Sequence, residues 1–123
     1  MKILQVLSRV FVEDLNKTIP VYELLLNETC KMRFEIPPAK VELAQVGSVL
    51  LYAGEGIASE RRIDISFVAD NLEEWRAYWL EHGGAIVRDL WPVAGGRNMI
   101  LRHADGTVAE YLEFFEGGHP CRN

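Results

Sequence analysis

Residues 2–12 alternate loosely between apolar and polar positions and predict a first strand. Asp14 to Asn16 then opens a helix that closes with Leu24, Leu25 and Leu26. Cys-Lys-Met-Arg-Phe-Glu-Ile at 30–36 alternates as a second strand, Pro37-Pro38 turns the chain, and strands follow at 40–46 and 48–53, divided by Gly47. A polar, glycine-containing linker at 54–61 carries no periodic signal. The order then repeats. A strand at 62–69 runs to Asp70, and Asn71 with Glu74 three residues on reads as a helix cap and capping box. A helix at 72–82 stops at Gly83-Gly84, and a strand at 85–90 leads to a loop with Trp91-Pro92 and Gly95-Gly96. Strands at 97–103 and 107–115 flank a turn at Ala104-Asp105-Gly106.

The repetition extends to the letters. VFVEDLNKTIPVYELL at 10–25 and SFVADNLEEWRAYWLE at 66–81 share five of sixteen residues at an offset of 70 − 14 = 56. The identities include Asp14/Asp70 and Tyr22/Tyr78. The last strands align Gly47-Ser48-Val49-Leu50-Leu51-Tyr52 with Gly106-Thr107-Val108-Ala109-Glu110-Tyr111 at 106 − 47 = 59. The chain therefore reads as α+β, two βαβββ repeats at about 2–54 and 62–116 with a short tail at 117–123. All of it is expected in one domain, the repeats packed around a pseudo-twofold axis so that an open, cupped mixed sheet results.

Composition changes this picture little. Hydrophobic residues make up 49% and charged residues 25%, as in ordinary globular domains. A net charge of −5 with no basic stripe excludes nucleic acid as the main partner. No apolar run reaches spanning length and no leader is legible, so the expected setting is cytoplasmic, without membrane. Cys30 and Cys121 have no metal or redox spacing and are expected as reduced thiols.

Three stretches carry a family resemblance that covers about residues 3–116. They are Val12-Glu13-Asp14-Leu15 leading to Val21-Tyr22, Ile65-Ser66-Phe67-Val68-Ala69-Asp70, and His103-Ala104-Asp105-Gly106-Thr107-Val108-Ala109-Glu110-Tyr111. Together they resemble the vicinal oxygen chelate superfamily of glyoxalases, extradiol dioxygenases and bleomycin-resistance proteins. Metal-using members of that group take His, Gln and Glu ligands from inward positions on the first, fourth, fifth and eighth strands. The resemblance places those positions at or near Leu7, near Leu51, at Asp64 and at Glu110. Two are apolar, so the metal site is expected to be degenerate and no cofactor is expected. A divalent metal on Glu110 and Asp64 is the alternative.

The candidate ligand-binding residues are Leu7, Arg9, Leu51, Asp64, Ser66, Trp91 and Glu110; the catalytic residues are unknown. Glu110 reads either as a ligand anchor, base or metal ligand, or as an inherited carboxylate paired with Arg9, which period two places on the face of Leu7. Trp91 reads as a lid over the mouth or as a loop anchor. Arg97 can recognise an anion, although Gly95-Gly96 lacks a phosphate-cradle context. Trp75, Tyr78 and Trp79 suit sheet packing, while His82 and His103 are weak ligand candidates. The expected function is binding of a small organic ligand by a homodimer, as in bleomycin-resistance proteins. The alternatives are a metal-dependent glyoxalase- or dioxygenase-type enzyme using Glu110 and Asp64, and a dimeric interaction module whose cup is filled by side chains.

Overall fold

The computed structural model describes residues 1–36, 40–93 and 95–115. The Pro37-Pro38 turn, the tail at 117–123 and Cys121 lie outside the described residues. The elements are β1 (Ile3–Phe11), α1 (Leu15–Leu26), β2 (Cys30–Ile36), β3 (Val41–Val46), β4 (Val49–Gly54) and α2 (Ile57–Glu60). They continue with β5 (Ile65–Ala69), α3 (Leu72–Glu81), β6 (Ala85–Val93), β7 (Gly96–Arg102) and β8 (Val108–Phe114). The expected α+β plan of two βαβββ repeats is the one observed. Two local expectations change. The 54–61 linker holds the short helix α2, and Trp91-Pro92 belongs to β6 rather than to a loop. Pro92 fits there because its strand is the last of the sheet, with a free edge.

The described chain divides into two compact units. The first holds residues 8–61, with strands in the order β2-β3-β4-β1, β4 and β1 being parallel. The second holds residues 1–7 and 62–115, in the order β1-β5-β8-β7-β6, β5 and β8 being parallel. β1 thus gives its first residues to one unit and its last to the other.

In the first unit, the Asp14 carboxylate caps α1 by accepting from the Asn16 N–H at 2.9 Å. Leu15 and Ile19, one turn apart, bury against Ala44, Val46, Leu51 and Ala53. In the second unit, Asn71 caps α3, its side chain accepting from the Glu74 N–H and donating to the Glu74 carboxylate. Leu72, Trp75 and Trp79 pack on Ala69, Met99, Leu101, Ala109 and Tyr111. Cys30, expected as a free thiol, is disulfide-bonded, and no free cysteine occurs among the described residues. Linear spacing could not show this, because it says nothing about which segments meet.

Under α3 the Tyr111 hydroxyl accepts from Trp79 Nε1–H at 2.8 Å and lies 2.8 Å from His103 Nε2. Indole only donates, and the hydroxyl keeps both its proton and a second lone pair for His103 Nε2, so the contact serves either imidazole tautomer. His103 also stacks on Trp79, ring centroids 4.0 Å apart. Burial pushes the Tyr111 hydroxyl up to about 12 and holds His103 below its ordinary value, Asp105 opposing the latter shift. The unfolded chain therefore takes up the His103 proton first as pH falls. Stability should be complete above the ordinary histidine value of 6.5 and decline as pH drops below it. Urea midpoints measured from pH 8 to pH ~5 check this. His103→Gln should flatten that decline while leaving the loss at lower pH from Glu73, Asp89 and Asp105, whose values are lowered in the folded state.

Candidate functional site

Strand register in the second unit sets a row across four strands. Leu7 of β1 lies opposite Ser66 of β5, Ser66 beside Glu110 of β8, and Glu110 opposite Ile100 of β7. Residues paired in register share a face. Their neighbours Phe67, Tyr111, Met99 and Leu101 pack on α3, so the row lies on the other face. Leu7 and Ser66 are fully buried and Glu110 is 4% exposed. The Ser66 hydroxyl donates to Glu110 Oε1 at 2.8 Å, and Asn98 Nδ2 donates to Oε2 at 2.9 Å. Arg88 in turn donates to Asn98 Oδ1 at 2.8 Å. Each carboxylate oxygen is thus held by a neutral donor, and the amide between Arg88 and Glu110 is fixed in one orientation.

The first unit has its own polar centre on the sheet face away from α1. Arg9 donates to the Tyr52 hydroxyl at 2.8 Å, to the Glu60 carbonyl at 3.0 Å and to the Glu60 carboxylate at 2.7 Å. Its guanidinium also lies over the Tyr52 ring, 4.4 Å from the centroid. The Arg9 side chain is 2% exposed and that of Glu60 12%. The short helix α2 therefore supplies a charge partner that the linker sequence did not announce.

Several expected positions fall differently. Leu51 is not on the Arg9 face. It is fully buried under α1, and Leu50 is the residue in register with Arg9. The reason is a one-residue slip in aligning the repeats. The caps Asp14 and Asn71 correspond at 71 − 14 = 57, not 56, and this pairs Arg9 with Ser66 at 66 − 9 = 57. Leu50 then matches Glu110 at 110 − 50 = 60, because the parallel partners are Arg9/Leu50 and Ser66/Glu110. One residue is enough to reverse a strand's faces. Asp64 is exposed and precedes β5. Its carboxylate accepts from the Val108 N–H at 2.8 Å, so it lies against Val108 and forms no carboxylate pair with Glu110. Trp91 sits opposite Asn98 and is 58% exposed. Arg97 is engaged by both Glu73 and Glu113, which removes it as an anion receptor. Gly96 serves close strand approach instead of a cradle, since a Cβ there would stand 2.0 Å from the Glu113 carbonyl oxygen.

Asn98, Arg88, Tyr52 and Glu60 were missed. Asn98 alone left a trace, one amide in the run Asn98-Met99-Ile100-Leu101. The donors around Glu110 do not fit a resident divalent ion. Among the described residues no three His, Cys, Asp or Glu side chains come together, and a serine and an amide already hold both oxygens. A cavity of about 490 Å³ occurs in the first unit, between the start of α1 and the ends of β2–β4, and is lined by none of the seven expected residues.

No family model and no curated protein matches the chain. Solved structures do. An uncharacterised protein from Methanosarcina mazei is 44% identical with a TM-score of 0.88, over 94% of this chain and 96% of that one. Methylmalonyl-CoA epimerase from Mycobacterium tuberculosis is 14% identical with a TM-score of 0.73, over 92% and 89%. The chain has the vicinal oxygen chelate fold. An epimerase solved with methylmalonyl-CoA and ammonium is 14% identical with a TM-score of 0.68, over 97% of this chain and all of that one. At such identity the two epimerases share the vicinal oxygen chelate fold with this chain and establish nothing further.

Two substitutions separate core from site. Leu51→Ala should cost about 2–5 kcal/mol, as for a leucine lost from a packed core. Ser66→Ala leaves Glu110 Oε1 without the serine donor and should cost about 1–3 kcal/mol. Urea unfolding measures both, and for Ser66→Ala a loss below the denaturation error would show that this bond does not hold the carboxylate.

Proposed function

We propose that this protein binds a small organic ligand without a resident metal, on the sheet face that carries Leu7, Ser66, Asn98 and Glu110. The observation that carries this reading is the buried Glu110 carboxylate, fixed through both oxygens in a row that also holds Leu7, Ser66 and Ile100. A preoriented acceptor on an apolar face favours a ligand bearing a hydroxyl or ammonium donor. Asp64 and Trp91 of the same unit belong to the proposal as peripheral contacts. Sequestration of the bleomycin-resistance kind is the nearest functional analogue, and the enzyme alternative loses support because Asp64 is committed to the Val108 backbone. The near-complete burial of Leu7, Ser66 and Glu110 favours a second reading, an interaction module whose inner face is closed by side chains.

Native mass spectrometry of the purified protein, compared with its denatured mass, tests the first reading. A bound organic mass is expected in wild type and should be lost in Glu110→Gln. No bound mass, and no thermal shift with methylmalonyl-CoA or with a panel of amines and alcohols, would leave the second reading in its place. Elemental analysis after dialysis should find no stoichiometric Zn, Ni, Fe or Mn. One tightly held ion per chain, released in Glu110→Ala, would overturn the metal-free reading and put the metal-dependent enzyme alternative first.

The reading includes a homodimer. Val21, Leu24 and Leu25 of α1 are 52%, 83% and 67% exposed, an apolar stripe suited to a second copy related by a twofold axis. Sedimentation at micromolar concentration should show dimer, and Leu24→Glu with Leu25→Glu should give monomer. Among the described residues no helix is long and apolar enough to cross a membrane. The cytoplasmic setting rested in part on free thiols, and the disulfide at Cys30 removes that support.

A further inference from the structure

The cavity of about 490 Å³ in the first unit has the size of a small-molecule site and belongs to none of the machinery above. Its wall includes Leu15, Ile36, Val41 and Ala53, which give it an apolar interior. Its charged groups sort cleanly. Arg33 is consumed by Glu42, with Nε–Oε2 at 2.9 Å and Nη2–Oε1 at 3.0 Å, and by Asn16 Oδ1 at 2.9 Å. Lys40 lies 3.6 Å from the Glu55 carboxylate. Asp14 occupies the amino end of α1, so that end offers no seat to an outside anion. Glu13 and Glu35 are exposed on the lining and hold no ion pair among the described residues.

Each cation at the cavity thus has a carboxylate of its own, and three carboxylates, Glu13, Asp14 and Glu35, stand without a cation. An incoming anion would meet three like charges, whereas an organic cation would bury its body against the apolar wall and leave its charge among them. We propose that the first unit carries a second binding site, for an organic cation with an apolar body such as a primary alkylamine. The site is separate from the Glu110 face and stands or falls without it.

The test uses the full chain and three probes that share an alkyl tail, n-octylammonium, n-octanol and n-octanoate, followed by methyl NMR. Octylammonium should bind, moving the methyl signals of Leu15, Val41 and Ala53, and octanoate should not. Removing one exposed charge contact at a time, Glu13→Gln or Glu35→Gln, should weaken octylammonium by roughly two- to fivefold. The double reversal Glu13→Lys/Glu35→Lys should transfer the preference to octanoate. Glu110→Gln should leave these affinities unchanged, which separates a failure here from a failure of the Glu110 site. Equal binding of the three probes, binding of none, or methyl shifts confined to other residues would overturn the proposal.

Discussion

Buried carboxylate chemistry in this protein depends on the alternation of a single strand. On β8, Ala109 and Tyr111 turn towards α3, and Glu110 between them turns away. A side-chain period of two leaves no intermediate arrangement, so the aromatic packing of Tyr111 and the orientation of Glu110 are one choice. Trp79 and His103 hold the Tyr111 hydroxyl on one face, while Ser66 and Asn98 hold the Glu110 carboxylate on the other. The strand is clamped from both sides by directional bonds. Apolar packing alone would fix its depth and leave its rotation less defined.

The same logic separates the two units chemically. Both contain a parallel strand pair, β1/β4 in one and β5/β8 in the other. In the second unit the pair presents serine and glutamate in register; in the first it presents arginine and leucine. The first unit's charge is then met by Glu60 of the short helix α2, close in sequence to β4. The scaffold repeats, and the polar chemistry differs between the two copies.

How far the sequence could be read follows from what kind of signal each feature leaves. The order of elements was legible because periodicity and caps are local, and Asn71 with Glu74 announced α3 as it is built. Glu110 and Ser66 were legible because the last strand and the fifth keep their motif residues. Leu51 was misplaced because the identical pairs Gly47/Gly106, Val49/Val108 and Tyr52/Tyr111 favour an offset of 59, whereas the parallel partners Arg9/Leu50 and Ser66/Glu110 set it at 60. Identity pulled the alignment one residue away from the geometry. Asn98, Tyr52 and Glu60 act through contacts between segments distant in the chain, for which composition and spacing leave almost no mark. Asp64 looked chelating because a carboxylate near a strand start has the same letter whether it faces a site or, as here, bonds a backbone amide.

The division of β1 has a consequence for where the chain can be cut. Its first residues pair with β5 and its last with β4, so the boundary between compact units falls inside a strand, while the repeat boundary falls in the connection after β4. A gene cut at the repeat boundary would give a first half bearing a strand end with no neighbour and a second half lacking its outermost strand. Neither piece would keep its strand ladder complete. The connection after β4, which looks like the natural seam of the repeat, is therefore a poor place to cut the chain.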